Sequence, residues 1–166
     1  MSRKTSYLDE LEGRFSGRDR TFALVVSRFN AHVTERLLER ARDTLLEHDT
    51  APADVAVFHV PGAWELPQAA LRAVTKQRFD AVVALGCVVR GETPHFDYIS
   101  AEVSRGLGVV ARETGVPVIF GVLTTDTLDQ AMERSGTKAG NKGFEAGLNA
   151  LEMANLMRQL PAEDGE

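Results

Sequence analysis

The sequence predicts an α/β domain, a four-stranded parallel β-sheet with helices on both faces. Four short runs are apolar almost throughout instead of alternating, the pattern of strands buried on both faces. Longer segments of helical period separate them. The resulting order, β-α-β-α-β-α-β-α-α, implies parallel strands joined by right-handed crossovers.

Residues 1–20 read as a polar N-terminal arm anchored only by Leu11 and Phe15. The first strand is "TFALVVS" (21–27). A helix over 32–48 follows, with Val33, Leu37, Ala41, Thr44, Leu45 and His48 on one stripe. "DVAVFHV" (54–60) is the second strand, and the helix over 64–78 carries Leu66, Ala69, Ala70, Ala73, Val74 and Gln77. "DAVVALGCV" (80–88) precedes a helix over 97–114 with Ile99, Val103, Leu107 and Val110. The last strand is "VPVIFGVL" (116–123). A helix containing Arg134 then stops at a glycine-rich break. The final helix, 138–158, carries Phe144, Leu148, Leu151, Asn155 and Met157 on its stripe. Residues 159–166 form a solvated C-terminal tail. No repeat, low-complexity tract or linker interrupts the single domain over 21–158.

Composition excludes several classes. With 43% apolar and 26% charged residues, the chain reads as an ordinary soluble domain. No apolar run approaches the ~20 residues that cross a bilayer, so no membrane partner is expected. The N-terminal segment lacks an apolar signal core, which argues against secretion. A formal net charge of -5 argues against a nucleic-acid partner. Cys87 is the only cysteine, so no intrachain disulfide or CxxC metal site can form. A reducing, cytoplasmic setting is expected.

Ligands of parallel α/β sheets gather outside the carboxyl ends of the strands. The segments there are "SRFNA" (27–31), "PGAWE" (61–65), "RGETPH" (90–95) and "TTDT" (124–127). "GCVVRGET" fits G-x-x-x-x-G at Gly86 and Gly91, but Glu92 stands where a P-loop needs lysine, so ATP and GTP are rejected. In "TPHFDY", Thr93 reads as a helix N-cap and Pro94 as the first helical residue. His95 then faces the ligand end, where a neutral imidazole can accept a proton and return it. From position alone, an acid/base and a surface or capping histidine are both open. Trp64 and Glu65 suit a flat heterocycle with ring N–H groups; a core tryptophan beside a glutamate at a helix N-terminus is the alternative. Arg134, Lys138 and Lys142 surround a glycine-rich break and suggest an anion site, or else a helix joint with solvated lysines. Phe29 follows the first strand and can cover a ring; Phe120 reads as core with an edge at the pocket. His32, His48 and His59 lack metal-ligand spacing, and Glu65 with Glu92 are too few for a divalent-metal cage, so no metal is expected.

Taken together, "SRFN", "VPGAWELP", "ALGCVVRGETPHFDYI", "GVPVIFGVLTTDT" and "GTKAGNKGFEAGLNALEMANL" resemble the lumazine synthase family over roughly residues 20 to 158. The resemblance implies a three-layer flavodoxin-like sandwich. It also implies condensation of 5-amino-6-(D-ribitylamino)uracil with 3,4-dihydroxy-2-butanone 4-phosphate to 6,7-dimethyl-8-ribityllumazine, releasing phosphate and water. No metal or organic cofactor is implied. By motif position, His95 is similar to the general acid/base. Arg134 is similar to the phosphate ligand, with Lys142 as its helper and the Glu92–Thr93 backbone holding the same substrate. Phe29 resembles the lid on the pyrimidine. Ala63, Trp64 and Glu65 resemble the segment that binds the ring and ribityl chain. Cys87, Val88 and Val89 resemble the strand end that binds the pyrimidine through backbone groups, and Phe120 the pocket residue from the adjacent subunit. The implied partners are further copies of the chain, as a pentamer or a 60-mer icosahedral shell with interface active sites, and a functional link to riboflavin synthase. Two other readings stand beside it: a flavin- or lumazine-binding module without turnover, and a riboflavin synthase of related fold.

Overall fold

Strands β1 (Phe22–Ser27), β2 (Val55–Val60), β3 (Ala81–Val89) and β4 (Val118–Thr125) pair in the order β2-β1-β3-β4, all parallel. The computed structural model describes residues 10–138 and 140–161. The first part of the expected arm, 1–9, and the end of the expected tail, 162–166, lie outside the described residues. Among the described residues there are also five α-helices: α1 (Ala31–Glu47), α2 (Leu66–Lys76), α3 (His95–Thr114), α4 (Leu128–Arg134) and α5 (Lys142–Gln159). The expected flavodoxin-like α/β sandwich is therefore present.

Strand order follows from the crossovers. From β1 the chain steps to β2 through α1, then returns over β1 to β3 and on to β4 through α2 and α3. Right-handed connections in opposite directions put α1 on one face and α2 with α3 on the other. Two apolar clusters reflect this. One joins α1 and α5 to the sheet through Leu37, Ala41, Leu45, Ala146 and Leu151. The other joins α2 and α3 through Leu66, Ala70, Val103 and Leu107.

Two sequence expectations need correction. The second apolar run is not buried on both faces: Phe58 and His59 are exposed because β2 is an edge strand. Only the central β1 and β3 are buried nearly throughout. The stripe assigned to the last helix is also displaced, since of its five residues only Leu151 is buried. The buried face consists of Gly143, Ala146, Gly147, Ala150, Leu151 and Ala154. Small side chains let α5 approach α1 closely; a Cβ on Gly147 would lie 2.9 Å from Thr44 Cβ. Large-residue periodicity misses a face built from small residues.

The amino-terminal end of the sheet is tied by Asp80. Its carboxylate accepts from the Thr21 amide at 2.8 Å and from Arg158 Nη2 at 2.7 Å, joining α5 to the start of β1. Burial opposes ionisation of Asp80, but the Arg158 and Thr21 hydrogen bonds together outweigh it and hold the carboxyl below its usual range. A carboxylate with a depressed folded-state pKa contributes stability above its unfolded pKa and loses it as pH falls through the folded value. Asp80→Asn is therefore expected to lower stability by about 1 kcal/mol at neutral pH, the half-exposed Arg158 limiting the gain. The gap to the wild type closes under acid, which urea melts across pH measure directly.

The arm begins to dock before β1. Asn155 Nδ2 donates to the Arg14 and Ser16 carbonyls, both at 2.8 Å, and Gln159 Nε2 donates to the Glu12 carbonyl at 2.8 Å. Residues 12–16 thus run along α5 with their backbone held by its side chains.

Candidate active site

The order β2-β1-β3-β4 reverses direction between β1 and β3, and a crevice opens beyond their carboxyl ends. A cleft of about 620 Å³ occupies it. Its walls include Phe29, Ala63, Trp64, Glu65, Cys87, Val88, Val89, Thr93 and His95, brought together from four segments. Glu92 is not in the lining.

Local structure explains each position. The loop after β1 is pinned to the end of β2: the Arg28 amide donates to the Val60 carbonyl at 2.8 Å, and the Phe29 amide to Pro61 at 3.1 Å. Asn30 then adopts a left-handed φ of 60°, which asparagine tolerates better than most residues. Its Nδ2 donates to the Cys87 carbonyl at 3.0 Å, tying this loop to β3. Phe29 is left 70% exposed over the cleft. No local pattern marks this role of Asn30, because its partner lies 57 residues away.

Trp64 is 53% exposed, so it is no core tryptophan. It sits in a 3-10 turn, Ala63–Glu65, before α2. Glu65 is fixed by accepting from the Gly62 amide at 3.0 Å. Cys87 and Val88, buried in β3, stand in the cleft's lining. Burial pushes the Cys87 thiol up to about 11, so it stays protonated at neutral pH and is no nucleophile. Gly86, the first glycine of the P-loop near-match, is inside β3, where a Cβ would meet Leu66 Cδ1 at 3.0 Å. It serves packing and does not belong to a loop.

His95 opens α3. The expected Thr93 cap does not form; Pro94 is the cap residue and has no side-chain oxygen to give. Asp97, two residues further on, pairs with Arg90. It accepts from Arg90 Nη1 at 3.2 Å, and Arg90 Nε donates to Asp126 Oδ1 at 2.9 Å.

The remaining candidates stand elsewhere on the chain. Arg134, at the end of α4, and Lys142, at the start of α5, line a separate recess of about 340 Å³ with Thr124, Thr125, Asn141 and Glu145. Lys142 Nζ is 2.8 Å from Glu145 Oε2. Phe120, 41% exposed, lines a third concavity with Phe96 and Ser100. The recess of Arg134 shares no lining residue with the cleft of His95. Among the described residues, no group of three or more His, Cys, Asp or Glu side chains could hold a metal ion.

Residues 19–158 match the family model for 6,7-dimethyl-8-ribityllumazine synthase. The chain belongs to the lumazine synthase family. The match begins just before β1 and ends in the last turn of α5, so it takes in every strand and helix that shapes the cleft and the recess. Lumazine synthesis, a step of riboflavin biosynthesis, is the family's chemistry, carried out on small molecules and typically in oligomers.

Proposed function

We propose that this chain condenses 5-amino-6-(D-ribitylamino)uracil with 3,4-dihydroxy-2-butanone 4-phosphate, giving 6,7-dimethyl-8-ribityllumazine, phosphate and water. The observation that carries the reading is the cleft at the sheet's reversal point, where His95 shares walls with Phe29, Trp64 and Glu65. Two exposed aromatic faces suit a flat pyrimidine. The end of β3 supplies backbone donors and acceptors to its ring, and Glu65 accepts from its N–H groups or the ribityl hydroxyls.

The uracil's 5-amino group attacks the butanone carbonyl. His95 relays the two amine protons to the carbonyl oxygen in turn, the first as the C–N bond forms and the second as that oxygen leaves as water and the imine forms. The same imidazole then serves phosphate loss and ring closure. Arg134 and Lys142 neutralise the phosphate, with the Glu92–Thr93 backbone beside it. Arg134 and His95 line separate recesses of one chain, which supports the reading that a neighbouring copy brings Arg134, Lys142 and Phe120 to the cleft. We therefore propose pentamers with interface sites, assembled into an icosahedral shell; light scattering separates the shell from a free pentamer or decamer. The lone, buried cysteine suits the reducing cytoplasm we propose as its setting.

Mixing both substrates and following lumazine absorbance and fluorescence tests the reaction. Riboflavin formed from lumazine alone, or binding without turnover, would replace it with one of the other readings. His95→Ala is expected to slow turnover by about 10²-fold, the low end of acid/base effects, because the amine and the ketone are already reactive. Measurable activity remains. An unchanged rate in both steady-state and single-turnover assays would remove His95 from the chemistry.

A further inference from the structure

Arg90 stands between Val89 and Gly91, both of which line the cleft, yet Arg90 itself is not in the lining. Its amide donates to the Thr125 carbonyl at 2.8 Å, one step beyond the last β3–β4 register pair, Val89↔Thr125. From this fixed backbone the guanidinium reaches three groups. It donates to Asp126 Oδ1 at 2.9 Å and to Asp97 Oδ1 at 3.2 Å, and its carbon lies 4.3 Å from the Phe96 ring centroid. Phe96 and Asp97 are the two residues that follow His95 in the first turn of α3. Asp126 stands in the segment that leads from β4 into α4.

Phe96 packs that turn on the α2–α3 cluster, and the Asp97 amide donates to the Pro94 carbonyl at 3.1 Å, but side-chain hydrogen bonds at its outer end come from Arg90. Pro94 provides no side-chain cap, and no side-chain hydrogen bond joins His95 to another described residue. Free helix ends fray. One planar group that stacks on Phe96 and bonds Asp97 restrains the turn in both rotation and translation, while Asp126 and the Thr125 carbonyl fix that group to β4.

We infer that Arg90 is a positioning residue for His95. It clips the first turn of α3 to the end of β4 and so sets where the imidazole stands in the cleft. The inference rests on the proposed role of His95 as acid/base. Exposed ion pairs add little to stability, so the clip acts on placement and not on folding. Lysine cannot replace it, having neither the fork for two carboxylates nor a planar face for the ring.

A double-mutant cycle in the full-length assembled protein, with both substrates, tests this. Arg90→Ala is expected to lower kcat on the order of tenfold, through misplacement of His95, and by no more than His95→Ala does. KM for each substrate stays within about twofold, since ground-state binding is untouched. Arg90→Lys resembles Arg90→Ala, and Asp126→Asn gives a smaller loss. In the His95→Ala background, Arg90→Ala costs nothing further, because the group it places is gone. The same fold-loss in both backgrounds, or wild-type kcat in both Arg90→Lys and Asp126→Asn, overturns the inference. Should Arg90→Ala fail to assemble, Arg90→Lys and Asp126→Asn run the same cycle against His95→Ala. Wild-type turnover separates the two readings. No lumazine from the wild type sinks the proposed function; wild-type turnover with additive losses sinks only the role of Arg90.

Discussion

Arg134→Ala is expected to cost more than any other single replacement in the proposed site, about 10³-fold in kcat/KM for the phosphate-bearing substrate. Two effects combine. In the proposed reaction the guanidinium would fix the butanone phosphate for attack and would stabilise the charge of the departing phosphate. Placement of two reactants can supply up to ~7–11 kcal/mol in ideal cases. It is a large share here because the reacting groups need little activation. KM for the pyrimidine should hardly move, whereas KM for the phosphate substrate should rise. Arg134→Lys restores charge but not the bidentate fork, so rescue is partial. Steady-state kinetics with each substrate varied in turn reads all of this.

The variant also probes how the site is assembled. Arg134→Ala chains still carry His95, and His95→Ala chains still carry Arg134. If one copy's recess completes its neighbour's cleft, co-assembled mixtures contain some interfaces with both groups intact and regain activity that neither variant has alone. Mixtures no more active than the average of the two variants would place both groups in one chain's site.

The largest expected loss of stability belongs to Gly143→Ala. Gly143 is buried in the first turn of α5, and a Cβ there would run into the Leu37 carbonyl oxygen of α1. Backbone cannot yield as a flexible side chain does, so the two helices must spread. The cost is about 3 kcal/mol, which for a domain of this size lowers Tm by roughly 6–12 °C. Because Lys142 precedes Gly143 directly and lines the Arg134 recess, affinity for the phosphate substrate should fall as well. Gly91→Ala is the natural comparison: an added Cβ meets nothing within 4 Å, and stability should stay within about 0.5 kcal/mol. Thermal melts at one protein concentration compare the pair. A Gly143→Ala melt that overlays the wild type would mean that the helices separate freely.

Much of the molecule is legible one segment at a time. The four strands announce themselves through continuous Val, Ala and Leu, and the ligand-facing loops follow wherever a strand ends. That places Phe29, Trp64, Glu65 and His95 near one another before any contact is known, because parallel strands all point their carboxyl ends the same way. The resemblance carried by "RGETPHFDY" and "GTKAGNKG" reaches further, to named roles, and the family match over 19–158 agrees with it.

What remains was not legible for a common reason: it depends on which distant segments meet. The edge position of β2, which exposes Phe58 and His59, is decided by strand order and not by the run's own composition. The buried face of α5 is decided by its closeness to α1, which selects Gly143, Gly147 and a row of alanines over Phe144 and Leu148. Asn30 and Arg90 find their partners 57 and 36 residues away, at separations no local period encodes. The division between the His95 cleft and the Arg134 recess is of the same kind, set by the opposite faces to which α3 and α5 are assigned. The sequence alone thus establishes the elements, the end of the sheet where chemistry belongs and the family. The tertiary structure decides which side chains share a wall, because hydrophobic period is a local property and contact across a sheet is not.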